Sequence, residues 1–320
     1  MLFIYILIFI LSCFLLFFSG SRIIKSLINL AVFLNWREFV VAFFVMAFAA
    51  SLPNLFVGIT SALNGIPQLS FGDVAGNNIV ALTLAVAFAS FFSKKGGGLM
   101  AKSKAIQTTS FFTIISAVMP FLLISDGELS RLDGIILIGF FFLFVFWLFS
   151  KKERFIKFYK NNSGVKDVKF FLKDLINIIL GLLILILSAQ GIVISAKFIS
   201  ISLNLSIVLV GILITGFGSA LPEIYFAVIS ARKGEGWMVL GDLMGAVIIP
   251  ATLVLGIVSL ICPIKAESLP SFAIARIFLI ISAVFFLIAV RTDKKITKKE
   301  GVFLLLIYIL FIITELYFKD

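Results

Sequence analysis

Apolar stretches of about 20 residues, the length that spans a bilayer as a helix, recur along the whole chain. Inside a bilayer only helices and closed barrels satisfy all their backbone hydrogen bonds. Of the 320 residues, 62% are hydrophobic and only 13% are charged, which is too few charges to cover a water-soluble globule of this size. The sequence therefore predicts an all-α polytopic membrane protein without a sizeable soluble domain.

The long apolar runs define about ten candidate transmembrane helices. The first run carries no charge before Arg22, so it lacks the basic region of a cleaved signal peptide, and we treat it as a retained helix. The predicted spans lie near residues 1–32, 39–63, 72–93, 107–125, 134–150, 170–201, 206–231, 238–262, 273–291 and 301–318.

The distribution of Lys and Arg predicts the orientation of these spans. If the helices alternate across the membrane, one side holds 22 of the 27 basic residues and the other side holds 5. The positive-inside rule then places both termini outside the cytoplasm of a plasma-membrane protein, with the basic segment 151–173 inside. That segment could bind nucleic acid or anionic lipid. A cytoplasmic linker that sets the topology is the favoured interpretation, so we predict no nucleic-acid partner.

The two halves of the chain are related by a shift of 169 residues. Residues 46–76 and 215–245 align without a gap and share nine identities in 31 positions, including Leu-Pro and Gly-Asp-x-x-Gly. We predict two five-helix repeats, over 1–150 and 170–320, joined by a basic cytoplasmic linker over 151–169. Because five is an odd number, the second repeat enters the membrane from the opposite side. Inverted repeats of this kind support alternating access.

Each repeat carries a proline inside an apolar span, Pro53 in the first and Pro222 in the second. Proline has no N–H, so it leaves the carbonyl four residues earlier without its helical donor, at Ala49 and at Gly218. A carbonyl at bilayer depth must find another partner, and a cation is a suitable one. We therefore predict that both spans are interrupted near a cation site. A simple kink covered by neighbouring helices is the alternative.

Acidic side chains near these prolines are candidate cation ligands. Glu223 directly follows Pro222, and a charge near the middle of a membrane is costly unless it is paired, hydrated or bound to a cation. No basic residue lies at a comparable depth in the sequence. Asp73 and Asp242 begin the next predicted spans, where an Asp is most often a helix N-cap, although either residue could line an ion path.

The polar lining is predicted to differ between the repeats. Asn77 and Asn78 lie about one turn beyond Asp73 and need polar partners at that depth. Their counterparts in the second repeat, Ala246 and Val247, are apolar.

Several common chemistries are excluded by residue usage. The chain has no His, which weakens any haem or zinc interpretation, and neither an HExxH nor a GxSxG motif, so we predict no cofactor and no enzyme. Cys13 and Cys262 are predicted to be packing residues. The expected partners are the lipid bilayer and inorganic cations, and the sequence identifies no protein partner.

These paired elements resemble the alpha repeats of the calcium/cation antiporter superfamily, which includes the sodium/calcium exchangers. The resemblance extends over nearly the whole chain. It implies secondary active cation antiport by alternating access around a central site, with a Glu after each Pro, hydroxyls just before it, and polar side chains on the following helix. Carried over by position, the cation ligands are Ser51, Asn54 and Asn77 in the first repeat and Ser219 and Glu223 in the second, with Asp73, Asp242 and Asn78 as further candidates.

The sequence departs from the family pattern at five of the site positions. These are Asn54 at a Glu position, Ala220 and Ala246 at serine positions, and Ala81 and Pro250 at deeper polar positions. Calcium prefers several carboxylates, so a site with one is predicted to bind it weakly unless Asp73 or Asp242 reaches inward. Two alternatives stay open: an antiporter that moves Na⁺, K⁺ or H⁺ rather than Ca²⁺, and a non-transporting membrane protein that retains the fold.

Overall fold

The structure is a computed structural model that describes residues 1–33, 48, 50–93, 98–150, 168–266 and 269–318. In this part of the chain, nine helices are long and apolar enough to cross a membrane, and a tenth is shorter. In order they are α1 (Leu2–Phe33), α2 (Leu52–Leu63), α3 (Pro67–Phe92), α4 (Lys104–Leu123), α5 (Arg131–Ser150), α6 (Val168–Leu203), α7 (Ile207–Lys233), α8 (Gly236–Ile261), α9 (Leu269–Arg291) and α10 (Lys298–Tyr317).

The helices of the two halves repeat one another in layout and in contacts. α3 and α8 each contain a π-helical segment, Ala81–Ala85 and Pro250–Val254, again 169 residues apart. α3 packs on α10 as α8 packs on α5, and α4 packs on α8 as α9 packs on α3. Equivalent helices are thus related by a pseudo-two-fold axis, which is the relation expected of inverted repeats. Residues 151–167 lie outside the described residues, so the linker and the repeat boundaries stay a prediction.

Two short antiparallel ladders join the halves at the helix ends. β1 (Leu99–Met100) pairs with β4 (Lys295–Ile296), and β2 (Glu128–Leu129) pairs with β3 (Ile264–Lys265). Each ladder takes one strand from each half. Since α4 separates β1 from β2, the ladders lie at opposite ends of the helices and fix the two halves to each other at both ends.

Burial separates central helices from helices at the periphery. In the most apolar part of α3, 89% of the residues are buried, and 78% in α8, against 22% in α1 and 28% in α5. The peripheral helices expose large apolar side chains such as Phe14 and Phe146, which lipid tails accommodate. Polar side chains on α3 and α8 are therefore screened from lipid by the rest of the protein.

The expectation that Asp73 and Asp242 are helix N-caps is wrong. α3 begins at Pro67 and α8 at Gly236, so each Asp lies more than one turn inside its helix. In α3 the start is set by Pro67, because a proline in the first turn lacks only an N–H that would have no helical partner there. Both acidic side chains are consequently placed within the helix layer rather than at its surface.

The predicted interruption stays a prediction in the first half, where residues 34–47 and 49 lie outside the described residues, and it is wrong in the second half. α2 begins at Leu52, with Ser51 as its N-cap, whereas Ala49 lies outside the described residues. In α7 the α-helix Gly216–Lys233 runs through Pro222 without a break, and regular geometry is lost earlier, in the π-helical segment Gly211–Thr215. A proline is tolerated inside a membrane helix when neighbouring groups and local π turns satisfy the backbone around it.

Candidate cation site

α3 and α7 cross with their backbones in direct contact. Gly72 and Gly76 on α3 face Gly211 and Gly216 on α7. A Cβ atom added at Gly76 would lie 2.1 Å from the Ile212 carbonyl oxygen, so no larger residue fits without a shift of the backbone. Small residues are the usual means of close approach between membrane helices. The two glycines of the Gly-Asp-x-x-Gly element therefore serve packing, and the packing brings the acidic residue between them against α7.

Asp73 meets a hydroxyl group of α7 at this crossing. The Ser219 Oγ donates a hydrogen bond to Asp73 Oδ1 at 3.1 Å. The other carboxylate oxygen, Oδ2, is buried and has no hydrogen-bond partner, and the side chain as a whole is 2% exposed. A buried carboxylate oxygen without a donor is costly unless a cation or a proton binds it.

A cavity of about 20 Å³ lies beside Asp73. This volume is sufficient for one water molecule or one dehydrated monatomic cation. Its polar lining comes from three helices: Asn54 of α2, Asp73 of α3, and Thr215, Gly218 and Ser219 of α7. Residues with carboxylate, amide and hydroxyl oxygens, the ligand types that hard cations prefer, thus line one part of a space for a single ion, and apolar side chains such as Leu16, Val57 and Ile192 line the rest.

Pro222 explains why Gly218 belongs to this set. The proline cannot donate to the Gly218 carbonyl, so that oxygen lacks its α-helical partner. Gly218 lines the cavity, as does Pro222 itself. The sequence argument that a proline supplies a carbonyl near the ion path is therefore consistent with the geometry in the second half.

Glu223 is buried next to the cavity but does not line it. It is 5% exposed, and its Oε2 has no hydrogen-bond partner. Asp73 and Asp242 lie close enough to act on it electrostatically. Even so, no three His, Cys, Asp or Glu side chains in the described part of the chain come together as a metal-binding cluster. A cation bound here would take most of its ligands from neutral oxygens.

Asn77 connects α3 to the equivalent position of α8. Its Nδ2 donates to the Ala246 carbonyl at 3.3 Å, and the partners are 169 residues apart. Its Oδ1 is buried without a partner, as is that of Asn78. Neither amide lines the cavity beside Asp73.

The predicted site residues are thus only partly brought together. Asn54, Asp73 and Ser219 meet at the cavity, while Glu223, Asn77 and Asn78 are buried in the surrounding helices, Ser51 is buried at the start of α2, and Asp242 is half-buried on α8.

Among the lining residues that carry an oxygen or sulfur in the side chain, Thr215 and Cys13 were not predicted. Thr215 lies four residues before Ser219, on the same helix face, and this spacing is a signal that the sequence offered. Cys13, a free cysteine of α1 predicted only to pack, also lines the cavity, and its place depends on a tertiary contact that no local pattern encodes.

Two related sets of membrane helices with π-helical segments, and between them a small cavity lined in part by polar residues, define a helical transport protein of the alternating-access class. A comparison with protein families identifies the family of transport proteins. The chain belongs to the sodium/calcium exchanger protein family, whose model matches residues 4–150 and 173–317. The resemblance inferred from the sequence is confirmed, and the protein is a secondary cation antiporter rather than an enzyme.

Individual relatives match nearly the whole chain. The sodium/calcium exchanger MaX1 of Methanosarcina acetivorans is 24% identical, over 93% of this chain and 95% of the relative. The membrane protein MJ0091 of Methanocaldococcus jannaschii is 25% identical, over 94% and 95%. The inner membrane protein YrbG of Escherichia coli is 24% identical, over 90% and 89%.

Solved structures share the fold. The sodium-calcium exchanger NCX_Mj superimposes with a TM-score of 0.65 at 24% identity, over 98% of this chain and 99% of that one. The predicted fold class, a polytopic all-α membrane protein of the exchanger type, is therefore confirmed.

Proposed function

We propose that the protein exchanges sodium ions or protons for a second cation by alternating access, and that the exchanged ion binds in the cavity beside Asp73. The observation that carries this proposal is the unpartnered Oδ2 of Asp73, a residue that lines a space for one ion together with Asn54, Thr215 and Ser219. One negative charge with neutral oxygens suits a monovalent ion. A divalent ion loses far more hydration energy and normally requires several carboxylates.

Glu223 is proposed as the second essential acidic residue. It lies one residue beyond Pro222, on the helix that supplies most of the polar cavity lining, and its own Oε2 is unpartnered. Asp73 and Glu223 repel each other when both are ionised, so a cation bound between α3 and α7 stabilises both. Movement of α7 against α3 would then depend on whether an ion is bound.

Calcium is the second candidate for the exchanged ion. The position of Asp73 favours it, because this carboxylate lines the cavity and adds to the charge of Glu223. MaX1, a relative of this chain, carries the name sodium/calcium exchanger. Two acidic side chains and the Asn54 amide would still give calcium fewer carboxylates than it usually finds.

Ion flux into reconstituted vesicles tests the proposal. Labelled sodium and labelled calcium are supplied in turn against imposed sodium, proton and calcium gradients. We expect sodium flux driven by a proton or cation gradient, with calcium flux weaker, and we expect Glu223→Gln to abolish both. The matched control is Asp126→Asn at an exposed position in the 3-10 turn that follows α4, which removes a charge outside the cavity lining. Wild-type protein that is folded and carries no cation under any gradient would favour the non-transporting alternative.

We further propose that the protein lies in the plasma membrane with its termini outside the cytoplasm and the basic segment 151–173 inside. YrbG, a relative over most of the chain, is named an inner membrane protein. Among the described residues, the β1–β4 end of the helices carries a concentration of basic side chains, including Lys102, Arg232, Arg291 and Lys295.

Cysteine labelling tests this orientation. In a chain without Cys13 and Cys262, new cysteines at Lys102 and at Ser125 mark opposite ends of α4, and both positions are exposed. An impermeant reagent added to intact cells should label Ser125→Cys and spare Lys102→Cys. The reverse pattern would contradict the proposed orientation.

The proposed ligands are the transported cations alone, with no cofactor and no nucleic-acid partner. The oxygen-bearing residues in the cavity lining suit a hard cation, and the described lining contains one residue with a softer ligand atom, Cys13.

A further inference from the structure

Two carbonyl groups in the second half lose their helical donor to a proline. Pro222 cannot donate to Gly218, and Pro250 cannot donate to Ala246. The two sites then differ. Gly218 lines the cavity beside Asp73, whereas the Ala246 carbonyl accepts a hydrogen bond from Asn77 Nδ2 at 3.3 Å.

The equivalent carbonyl in the first half has a backbone donor. Ala81, the counterpart of Pro250, donates its N–H to the Asn77 carbonyl. At the α3–α8 crossing, only the Ala246 carbonyl of α8 therefore needs a side-chain donor. The sequence provides that donor on α3, at Asn77, and provides none at the equivalent position of α8, which is Ala246. The two halves differ at two pairs of equivalent positions, 77 and 246, and 81 and 250. Both differences act on the same group, because one removes the backbone donor of the Ala246 carbonyl and the other supplies a side-chain donor to it.

The chemistry of the contact determines which end of the amide faces α8. A carbonyl only accepts hydrogen bonds, so the Asn77 side chain presents its NH₂ group, which carries partial positive charge. Asn77 is fully buried and Ala246 is 2% exposed, so water does not compete for this oxygen. The small side chain of Ala246 leaves its backbone accessible to the longer Asn77.

We propose that the Asn77 amide takes the place of a cation at the α3–α8 crossing and thereby limits the protein to one bound cation, in the cavity beside Asp73. A carbonyl deprived of its donor at bilayer depth requires a donor or a cation. At Gly218 the cavity provides for a cation, and at Ala246 the amide of the other half satisfies the oxygen. Asn77 is in this respect a specificity-determining residue that sets the number of ions bound. This inference rests on the proposed function, because it assumes that the Asp73 cavity binds a cation.

The substitution Asn77→Asp tests the inference directly. It keeps the shape of the side chain but replaces the donor by an oxygen, so that two acceptors face each other and a cation between them becomes favourable. Equilibrium dialysis with labelled sodium, on the purified full chain in detergent at alkaline pH, counts the ions. We expect one bound sodium in the wild type and two in Asn77→Asp. The matched control, Asn64→Asp at an exposed position at the end of α2, makes the same charge change and should bind one.

The outcomes separate this inference from the proposed function. One sodium in both the wild type and Asn77→Asp overturns the inference and leaves the proposed function intact, as do two sodium ions in the wild type. No bound sodium in the folded wild type overturns this inference, and the flux measurements in vesicles then decide separately whether the proposed function fails too.

A second pair of variants keeps the test decisive if Asn77→Asp does not fold. Asn77→Ala removes the amide and leaves the Ala246 carbonyl without a donor, so a second sodium should bind. Adding Pro250→Ala restores a backbone N–H in reach of that carbonyl, so the double variant should return to one sodium. Equal counts in the single and double variants would contradict the inference, whatever their thermal stability.

Discussion

α3 and α8 occupy equivalent places in the two halves, yet they differ in what they present to the interior. Both are 26 residues long, both are mostly buried and both contain a π-helical segment at the same point. The buried polar residues of α3 are Gln68, Ser70, Asp73, Asn77, Asn78, Thr83 and Ser90, and the equivalent residues of α8 are Trp237, Val239, Asp242, Ala246, Val247, Thr252 and Ser259. The difference teaches that the backbone frame and the acidic residue are common to both halves, whereas the polar groups near that acid are not.

The residues that the two helices share maintain the frame. Thr83 and Thr252 each donate a hydroxyl hydrogen bond to the carbonyl four residues earlier, at Ile79 and Ile248, within or next to the π-helical segments. Back-bonding of this kind supports a departure from regular helix geometry. Because both halves retain it, the irregular turns belong to the symmetric scaffold.

The side chains packed against the shared acid differ between the two halves. Asp73 faces Thr215 and Ser219 across its crossing with α7. Positions 46 and 50, which correspond to these two residues in the first half, are Met and Ala and carry no hydroxyl. The positions equivalent to the hydroxyl partners of Asp73 thus offer no hydroxyl to Asp242, and in the part of the chain that the structure describes a polar cavity is found beside Asp73.

Replacing each of the two equivalent acids by Asn tests this asymmetry, and we expect this pair of variants to show the largest effect on ion flux. Asp73→Asn should lower cation-driven flux at least about a hundredfold, which corresponds to about 2.8 kcal/mol, because it removes the one carboxylate that lines the cavity. Asp242→Asn should lower it less than about tenfold. Flux in vesicles containing equal amounts of folded protein provides the measurement. Similar losses in both variants would show that the site is symmetric after all.

The next largest effect is expected on stability, from a substitution at the glycine contact between α3 and α7 that positions Asp73. Gly76→Ala places a methyl group 2.1 Å from the Ile212 carbonyl oxygen, and overpacking of this kind costs about 1–3 kcal/mol or more. Gly139→Ala on α5 is the control, because nothing lies within 4 Å of its added methyl group. Thermal denaturation in detergent should show a large decrease for Gly76→Ala and none for the control. Equal midpoints would mean that α3 and α7 are not in backbone contact.

Placing an acid at Asn54, the position equivalent to Glu223, should have a smaller effect, and this effect concerns the preference between calcium and sodium. Asn54 lines the cavity, so Asn54→Glu adds a second carboxylate directly to its wall. We expect calcium affinity relative to sodium to rise about tenfold, or about 1.4 kcal/mol. Calcium titration by calorimetry with sodium as competitor measures it. Unchanged calcium affinity in a folded variant would indicate that the Asn54 side chain does not reach the bound ion.

The sequence predicted those parts of the molecule that depend on patterns within the chain, namely the positions of the helices and the equivalence of the two halves. Apolar runs locate the helices, and the shift of 169 residues locates their counterparts, because both depend on neighbours in the chain. The start of α3 at Pro67 was not predicted because its first residues are buried by other helices rather than by lipid, so they need no long apolar run. Cys13 at the cavity and Asn77 at Ala246 depend on which helices cross, information that a single sequence does not display.

The smallest predicted effect concerns a feature in which the two halves agree. Ser130 before α5 and Thr297 before α10 each form a reciprocal capping box, with Asp133 and Glu300 respectively. Ser130→Ala and Thr297→Ala should each lower stability by about 1 kcal/mol, because each leaves a helix-terminal N–H without its side-chain acceptor. Thermal midpoints in detergent measure the loss, and competition between sodium and calcium shows whether ion preference is retained. These caps act through local backbone hydrogen bonds, so the two losses should match and the ion preference should not change. A shift in ion preference from either variant would mean that the symmetric scaffold and the asymmetric site are not independent.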